Sequence, residues 1–226
     1  MKKLSVGVLA SAVLFLAACG GNSSNNASTN TEQQVAQKSG NVYAVNLESS
    51  KVNWKAFHKG GFAPRWGTLS IKSGEVSVAE NEVTAGDFVI DMKSLRVDSA
   101  SVTEKDKKYT ELEAHLKSAD FFDVEKNPTA EFKITQVATL APGTAKDAVE
   151  GANKTVSGNL TLLGKTVNLT FPAKIEVLGD AVSVLAKFTV NRADWGIKFG
   201  TSGADPAEWM ISKDIEIGID VKASKK

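Results

Sequence analysis

Beyond residue 41 the chain is dominated by strict alternation of apolar and polar side chains. Ile215, Ile217, Ile219 and Val221 alternate with Glu216, Gly218 and Asp220; Val182, Val184, Ala186, Phe188 and Val190 form a second such series, and Val167, Leu169, Phe171, Ala173 and Ile175 a third. Successive side chains of a strand point to opposite faces, so each series predicts a strand with one buried face. Shorter versions occur at Val52/Trp54/Ala56, Leu69/Ile71, Val76/Val78, Phe88/Ile90/Met92, Phe132/Ile134 and Val156/Leu160/Leu162. Glycine-bearing segments at 72–75, 163–166 and 178–181 supply hairpins or bulges between them. Short strands joined in this way form a meander, and about eight can close on themselves. The expected fold is therefore all-β, an antiparallel eight-stranded barrel. One segment breaks the rhythm: Thr103 and Asp106 have capping-box spacing, and Tyr109, Leu112, Leu116 and Ala119 recur at helical spacing before Phe121 and Phe122. This predicts a helical insertion closing one end of the barrel, with Lys117 on its far side.

The chain opens differently. Lys2 and Lys3 precede an apolar run from Leu4 to Leu16 that is too short for a bilayer crossing of about 20 residues, so it reads as the core of an export signal. The run ends in Leu16-Ala17-Ala18-Cys19, which resembles the bacterial lipobox. That resemblance implies acylation of Cys19 and cleavage before it; several acyl chains are needed for stable anchoring. Cys19 is the only cysteine, which excludes an internal disulfide. Gly20 and Gly21 follow it rather than Asp, which by resemblance to Gram-negative sorting rules points to the outer membrane, facing the periplasm. The expected organisation is 1–18 signal peptide, 19–40 lipidated flexible tether and 41–226 barrel domain. The tether is Asn-, Ser-, Thr- and Gln-rich, cannot offset its ordering entropy, and as a free coil would hold the domain about 25 Å from the membrane.

Composition removes several function classes. Without residues 1–18 the chain carries 25 basic and 26 acidic side chains, which leaves no electrostatic footprint for nucleic acid. Two Tyr and 4 Trp are too few for the aromatic girdles of a membrane-spanning barrel. Gly164-Lys165-Thr166 imitates the end of a P-loop, but Gly158 lies one residue too far upstream and the segment reads as a hairpin. No G-x-S-x-G or H-E-x-x-H occurs, and with only 2 His no metal or cofactor is expected, nor an enzyme.

An inward apolar face makes either a solid core or a small cavity, because eight strands suit both. The positions expected to line a cavity are Trp54, Ala56, Leu69, Ile71, Phe88, Ile90, Phe132, Leu160, Leu169, Phe171, Val184, Ala186 and Phe188. Small residues on that face, Ala56, Gly67, Gly158, Ala173 and Ala186, are expected to leave the room.

Four segments resemble the YceI family of exported bacterial proteins: Val52–His58 with Gly61, Phe62 and Gly67; His115–Asp123 running on through Asn127–Phe132; Val156–Thr166; and Phe188–Ile197. They occur in family order over nearly the whole domain. The resemblance implies a lipocalin-like barrel holding a polyisoprenoid such as a polyprenyl pyrophosphate or an isoprenoid quinone, for carriage, storage or stress protection. The chain departs from the commonest family form in its lipobox and in Ala63-Pro64-Arg65-Trp66. Rim candidates are His58, Arg65, His115, Arg192 and Trp195. His58 continues the inward face of Trp54 and Ala56, either as a hydrogen-bond partner for a head group or as a structural histidine. His115 sits on the apolar side of the helix, where a structural bond is the simpler role. Arg65 and Arg192 have the geometry to bind phosphate, with pairing to Asp194 or Asp120 as the alternative for Arg192. Phe121, Phe122 and Trp195 read as plug residues. The competing functions are an envelope interaction lipoprotein with a solid barrel, and an enzyme acting on a bound isoprenoid.

Overall fold

Eight strand positions close into one antiparallel barrel in the computed structural model, which describes residues 26–141, 143, 145, 147–201 and 210–226. The signal segment and Cys19 lie outside the described residues. The strands are β1 (Ser28–Asn30), β2 (Asn41–Val45), β3 (Lys51–His58), β4 (Arg65–Ala79), β5 (Glu82–Val97), β6 (Thr129–Thr139), β7 (Lys154–Leu162), β8 (Lys165–Leu178), β9 (Ala181–Asn191) and β10 (Ile211–Lys225). β2 and β3 share one position, because both lie between β4 and β10 and the chain is interrupted at 46–50. From there each strand pairs with the next until β10 returns to β2 and β3, so the barrel itself leaves no free edge.

Register follows the alternation: Ile217 lies opposite Phe188 and Trp54, and Leu169 lies opposite Gly158, all on the inner face. Of the hairpin or bulge expected at 72–75 the structure forms the bulge: β4 continues through it with a register shift between Ile71 and Ser73, and Val45 and Phe88 pack against the backbone of Gly74. The chain reverses instead at Glu80 and Asn81, both in the left-handed region that a tight hairpin needs (φ 52° and 62°).

The helix is also shorter than the capping box implies. α1 spans Tyr109–Lys117, and its preceding residue Lys108 makes no side-chain cap, so Thr103 and Asp106 lie in the connection before it. Leu112 and Leu116 pack on Trp54, Leu95 and Val97, which fixes α1 over the barrel end formed by the tops of β3, β4 and β5.

The largest departure from expectation is the free tether. Asn26–Gly40 is an extended strap that first fills the gap where β8 and β9 part beyond Ala173 and Ala186 and then crosses the outer wall: Asn26 bridges Thr189, β1 pairs with β8 from Ser28 to Asn30, and the Ala36 amide donates to Ile134 O. Ala27 packs against the core and β1 extends the backbone ladder of β8, while the later polar groups find partners on outward faces, so ordering costs are met mainly by hydrogen bonds. Asn159 and Asn168, both outward-facing and both buried, form the seat. Asn159 Oδ1 accepts from Gln33 N at 3.0 Å, its Nδ2 donates to Gln33 O at 2.7 Å, and Asn168 Nδ2 donates to Asn159 Oδ1 at 2.9 Å. Lys38 then clips between Glu75 and Asp87, whose carboxylates raise its pKa above the usual lysine range. Among the described residues no helix is long and apolar enough to cross a membrane.

Candidate ligand-binding site

Inward side chains from all eight positions leave a cavity of about 520 Å³, within the range of small-molecule sites. Its base is shut by Tyr43, Val45, Val78, Val182 and Ala223, which are buried and outside the wall. At the other end it reaches the exposed Lys107, Lys108 and Glu111 beside α1, which marks the mouth. Four connections meet there: 59–64, 98–128 with α1, the 163–164 hairpin, and residues 192–201 after β9.

Twelve of the thirteen wall positions expected from the sequence line this cavity. The exception is Ala186, which is inward and buried but lies opposite Ala173, where the stacked rings of Phe171 and Phe188 (4.1 Å between centroids) fill the space. The explanation by small residues also fails in most places. A Cβ on Gly158 would stand 2.2 Å from the ring of Phe132, and one on Gly67 would stand 1.8 Å from Arg96 O, so both glycines accommodate neighbours. Of the five small residues only Ala56 faces the cavity. The room comes from the barrel's circumference.

All five rim candidates border the cavity, with different freedom. The Arg192 side chain is buried and donates to four backbone carbonyls: Ser212 O from Nε at 3.0 Å, Ile197 O from Nη1 at 3.2 Å, and Phe199 O and Ile211 O from Nη2 at 2.7 and 3.3 Å. Neither Asp194 nor Asp120 is its partner in these bonds. Burial pulls its pKa down from the usual guanidinium range. Arg65 donates to Ser101 O at 2.8 Å and pairs with Glu104. The carboxyl of Glu104 is held at about 2 by its own backbone N–H and by Arg65 against the opposing effect of burial. Both arginines are thus committed to the walls of the mouth. His115 Nε2 meets Asp120 Oδ2 at 2.9 Å, and its ring packs edge-on against Phe121 and Phe199. Trp195 is buried and donates from Nε1 to Leu160 O at 3.1 Å. His58 differs: its ring stacks on Phe62 (5.4 Å), while Nδ1 is buried and has no hydrogen-bond partner among the described residues.

Lys107 and Lys108 escaped the sequence reading. Each makes a surface ion pair, Lys107 with Glu104 at 3.5 Å and Lys108 with Glu111 at 3.9 Å, and both side chains stay largely exposed to solvent at the mouth. Their position just before the helix was the available signal, obscured by placing the helix start at Thr103. Among the described residues no group of three or more His, Cys, Asp or Glu converges as a metal site would require.

A sequence profile described as the YceI-like domain matches residues 43–223. The chain belongs to the YceI-like family. Family relatives include a UPF0312 protein of Pseudomonas aeruginosa, 30% identical over 62% of this chain and 70% of its own length. Another is a UPF0312 protein of Pseudomonas putida, 31% identical over 75% of this chain and 79% of its own. Solved structures share the YceI-like barrel. Burkholderia cenocepacia BcnA is 18% identical with a TM-score of 0.57, covering 80% of this chain and 99% of its own. A polyisoprenoid binding domain from Saccharophagus degradans is 12% identical with a TM-score of 0.52, covering 85% and 100%.

Proposed function

We propose that this protein is a lipoprotein anchored through Cys19 in the cell envelope, facing the periplasm, that carries one isoprenoid amphiphile tail-first in the barrel. The observation that carries the reading is a cavity of about 520 Å³, apolar to its base and polar only at its mouth. A flexible hydrocarbon tail entering it gains about 0.8 kcal/mol per buried CH₂, so a few isoprene units give useful affinity without any catalytic group. The polyisoprenoid named for the Saccharophagus domain fits that chemistry. At the mouth the free Nδ1 of His58 can bond a head-group oxygen, and Lys107 and Lys108 can attend an anionic one. Arg65 and Arg192 serve by holding the mouth in shape. A solid barrel acting only through its outer surface is disfavoured by the cavity itself.

The test is organic extraction of protein purified from its native envelope, followed by mass spectrometry. An isoprenoid recovered at about one per barrel supports the reading; repeated recovery of none, or of ordinary fatty acids alone, contradicts it. Anchoring is tested separately. Cys19→Ser should move the folded protein out of the lipid-modified membrane fraction or leave it as precursor.

A further inference from the structure

The strap and the mouth together say how the barrel sits on its membrane. Cys19 precedes Asn26 by seven residues, which reach at most about 25 Å when extended. Asn26 is already fixed to the wall at Thr189, two residues from the mouth end of β9. A chain held this closely cannot hang its barrel freely; some face of it must lie near the bilayer.

The mouth has the composition for that contact. Three large aromatic side chains stand outside it, Phe62 at 46% exposed, Tyr109 at 42% and Phe199 at 42%. Two of them continue the cavity wall outward, Phe62 through His58 and Phe199 through His115 and Phe121. Monomeric proteins leave such clusters open where something covers them, and aromatic rings favour the bilayer interface. The segments that carry these rings, 59–62, 105–111 and 198–201, hold five lysines (Lys59, Lys105, Lys107, Lys108, Lys198) against two carboxylates (Asp106, Glu111), with Asp120 bonded to His115 beside Phe199 and Arg65 paired with Glu104 in the wall. Basic side chains beside interfacial aromatics suit an anionic leaflet, whose attraction acts within a Debye length of the surface.

We infer that the mouth is a membrane-docking face: Phe62, Tyr109 and Phe199 enter the head-group region of an anionic bilayer, the rim lysines contact its phosphates, and the strap holds the barrel in that orientation. The inference rests on the proposed anchoring at Cys19 and deepens the proposed carriage. A tail then passes between bilayer and cavity along a continuous apolar path without crossing water.

Hydrogen exchange followed by mass spectrometry on the lipidated full chain tests it, comparing vesicles of phosphatidylethanolamine and phosphatidylglycerol with detergent micelles. Amides at 59–63, 105–110 and 198–201 should slow several-fold in vesicles, while the base turns at 79–82 and 178–181 stay unchanged. Phe62→Ser with Phe199→Ser, or Lys107→Glu with Lys108→Glu, should abolish this protection while the protein remains attached. Equal exchange at the mouth in both states, or protection of the base turns instead, overturns the docking. So does protection that appears without vesicles and grows with protein concentration, which would assign the rim to a second copy. If the chain proves unlipidated, the anchoring reading fails on its own. Co-sedimentation of that soluble protein with the same vesicles then decides docking: binding lost in the rim variants upholds it, and no binding overturns it.

Discussion

Arg192 and His58 border the same cavity and have opposite prospects under mutation. Arg192→Gln would strand several buried carbonyls, each costing about 1–3 kcal/mol when left unsatisfied. A marked fall in melting temperature is expected, with no selective loss of anionic over neutral ligands. His58→Ala removes one prospective bond, worth about 0.5–1.5 kcal/mol, together with the stack on Phe62, so affinity should fall up to about tenfold with a far smaller loss of stability than Arg192→Gln. Isothermal titration beside thermal melts separates the two outcomes. Small residues divide in the same way. Ala56 faces the cavity, and Ala56→Leu should weaken binding by narrowing it. Gly158→Ala would force the Phe132 ring to move, costing about 1–3 kcal/mol of stability and pushing that ring toward the ligand space. Glu104 gives the mouth an acid limit. Its pKa is lowered from 4.5 to about 2, so its contribution is present above about pH 4.5 and fades as pH falls toward 2. The stability gap between wild type and Glu104→Gln should therefore shrink below about pH 4.5, as melts across that range would record.

At the scale of elements the strap offers the clearest test. Asn159→Ala deletes two bonds to Gln33 and one to Asn168, so about 1–3 kcal/mol of local fastening should be lost. Limited proteolysis should then cut before Gly40 faster than in wild type, with the barrel intact; unchanged cutting would show the strap to be held elsewhere. This element was invisible in the sequence because a polar, glycine-containing stretch looks unstructured when judged by its own burial, and its partners lie far along the chain, from Glu75 for Lys38 to Asn159 for Gln33. The barrel strands were legible for the converse reason, since period-two alternation is a local consequence of having one buried face. Turns divided by chemistry: Leu163-Gly164 and the turn at Gly179 were readable from glycine, whereas Glu80-Asn81 adopts the left-handed conformation without one. The helix was placed correctly by Leu112 and Leu116, while its start was misread because Thr103 and Asp106 resemble a cap but lie in the connection before it. Of the site, the wall followed from alternation, but the engagement of Arg65 and Arg192 and the openness of Lys107 and Lys108 depend on loops folding together at the mouth.

For the molecule as a whole, the closed barrel encloses an apolar cavity whose polar groups are confined to one end. That division predicts that tail length governs affinity and the head group modulates it. Shortening a polyprenyl ligand should weaken binding steadily at about 0.8 kcal/mol per CH₂ lost from the cavity, until the remaining chain no longer reaches the base. The most direct measurement is titration of delipidated protein with a polyprenol, followed by the fluorescence of Trp54 and Trp195, which both line the cavity. A saturable change at one ligand per barrel, displaced by polyprenyl pyrophosphate or an isoprenoid quinone and weakened by Ala56→Leu, is the predicted result. No saturable change with any of the three ligands, from a protein still folded by circular dichroism, would contradict it.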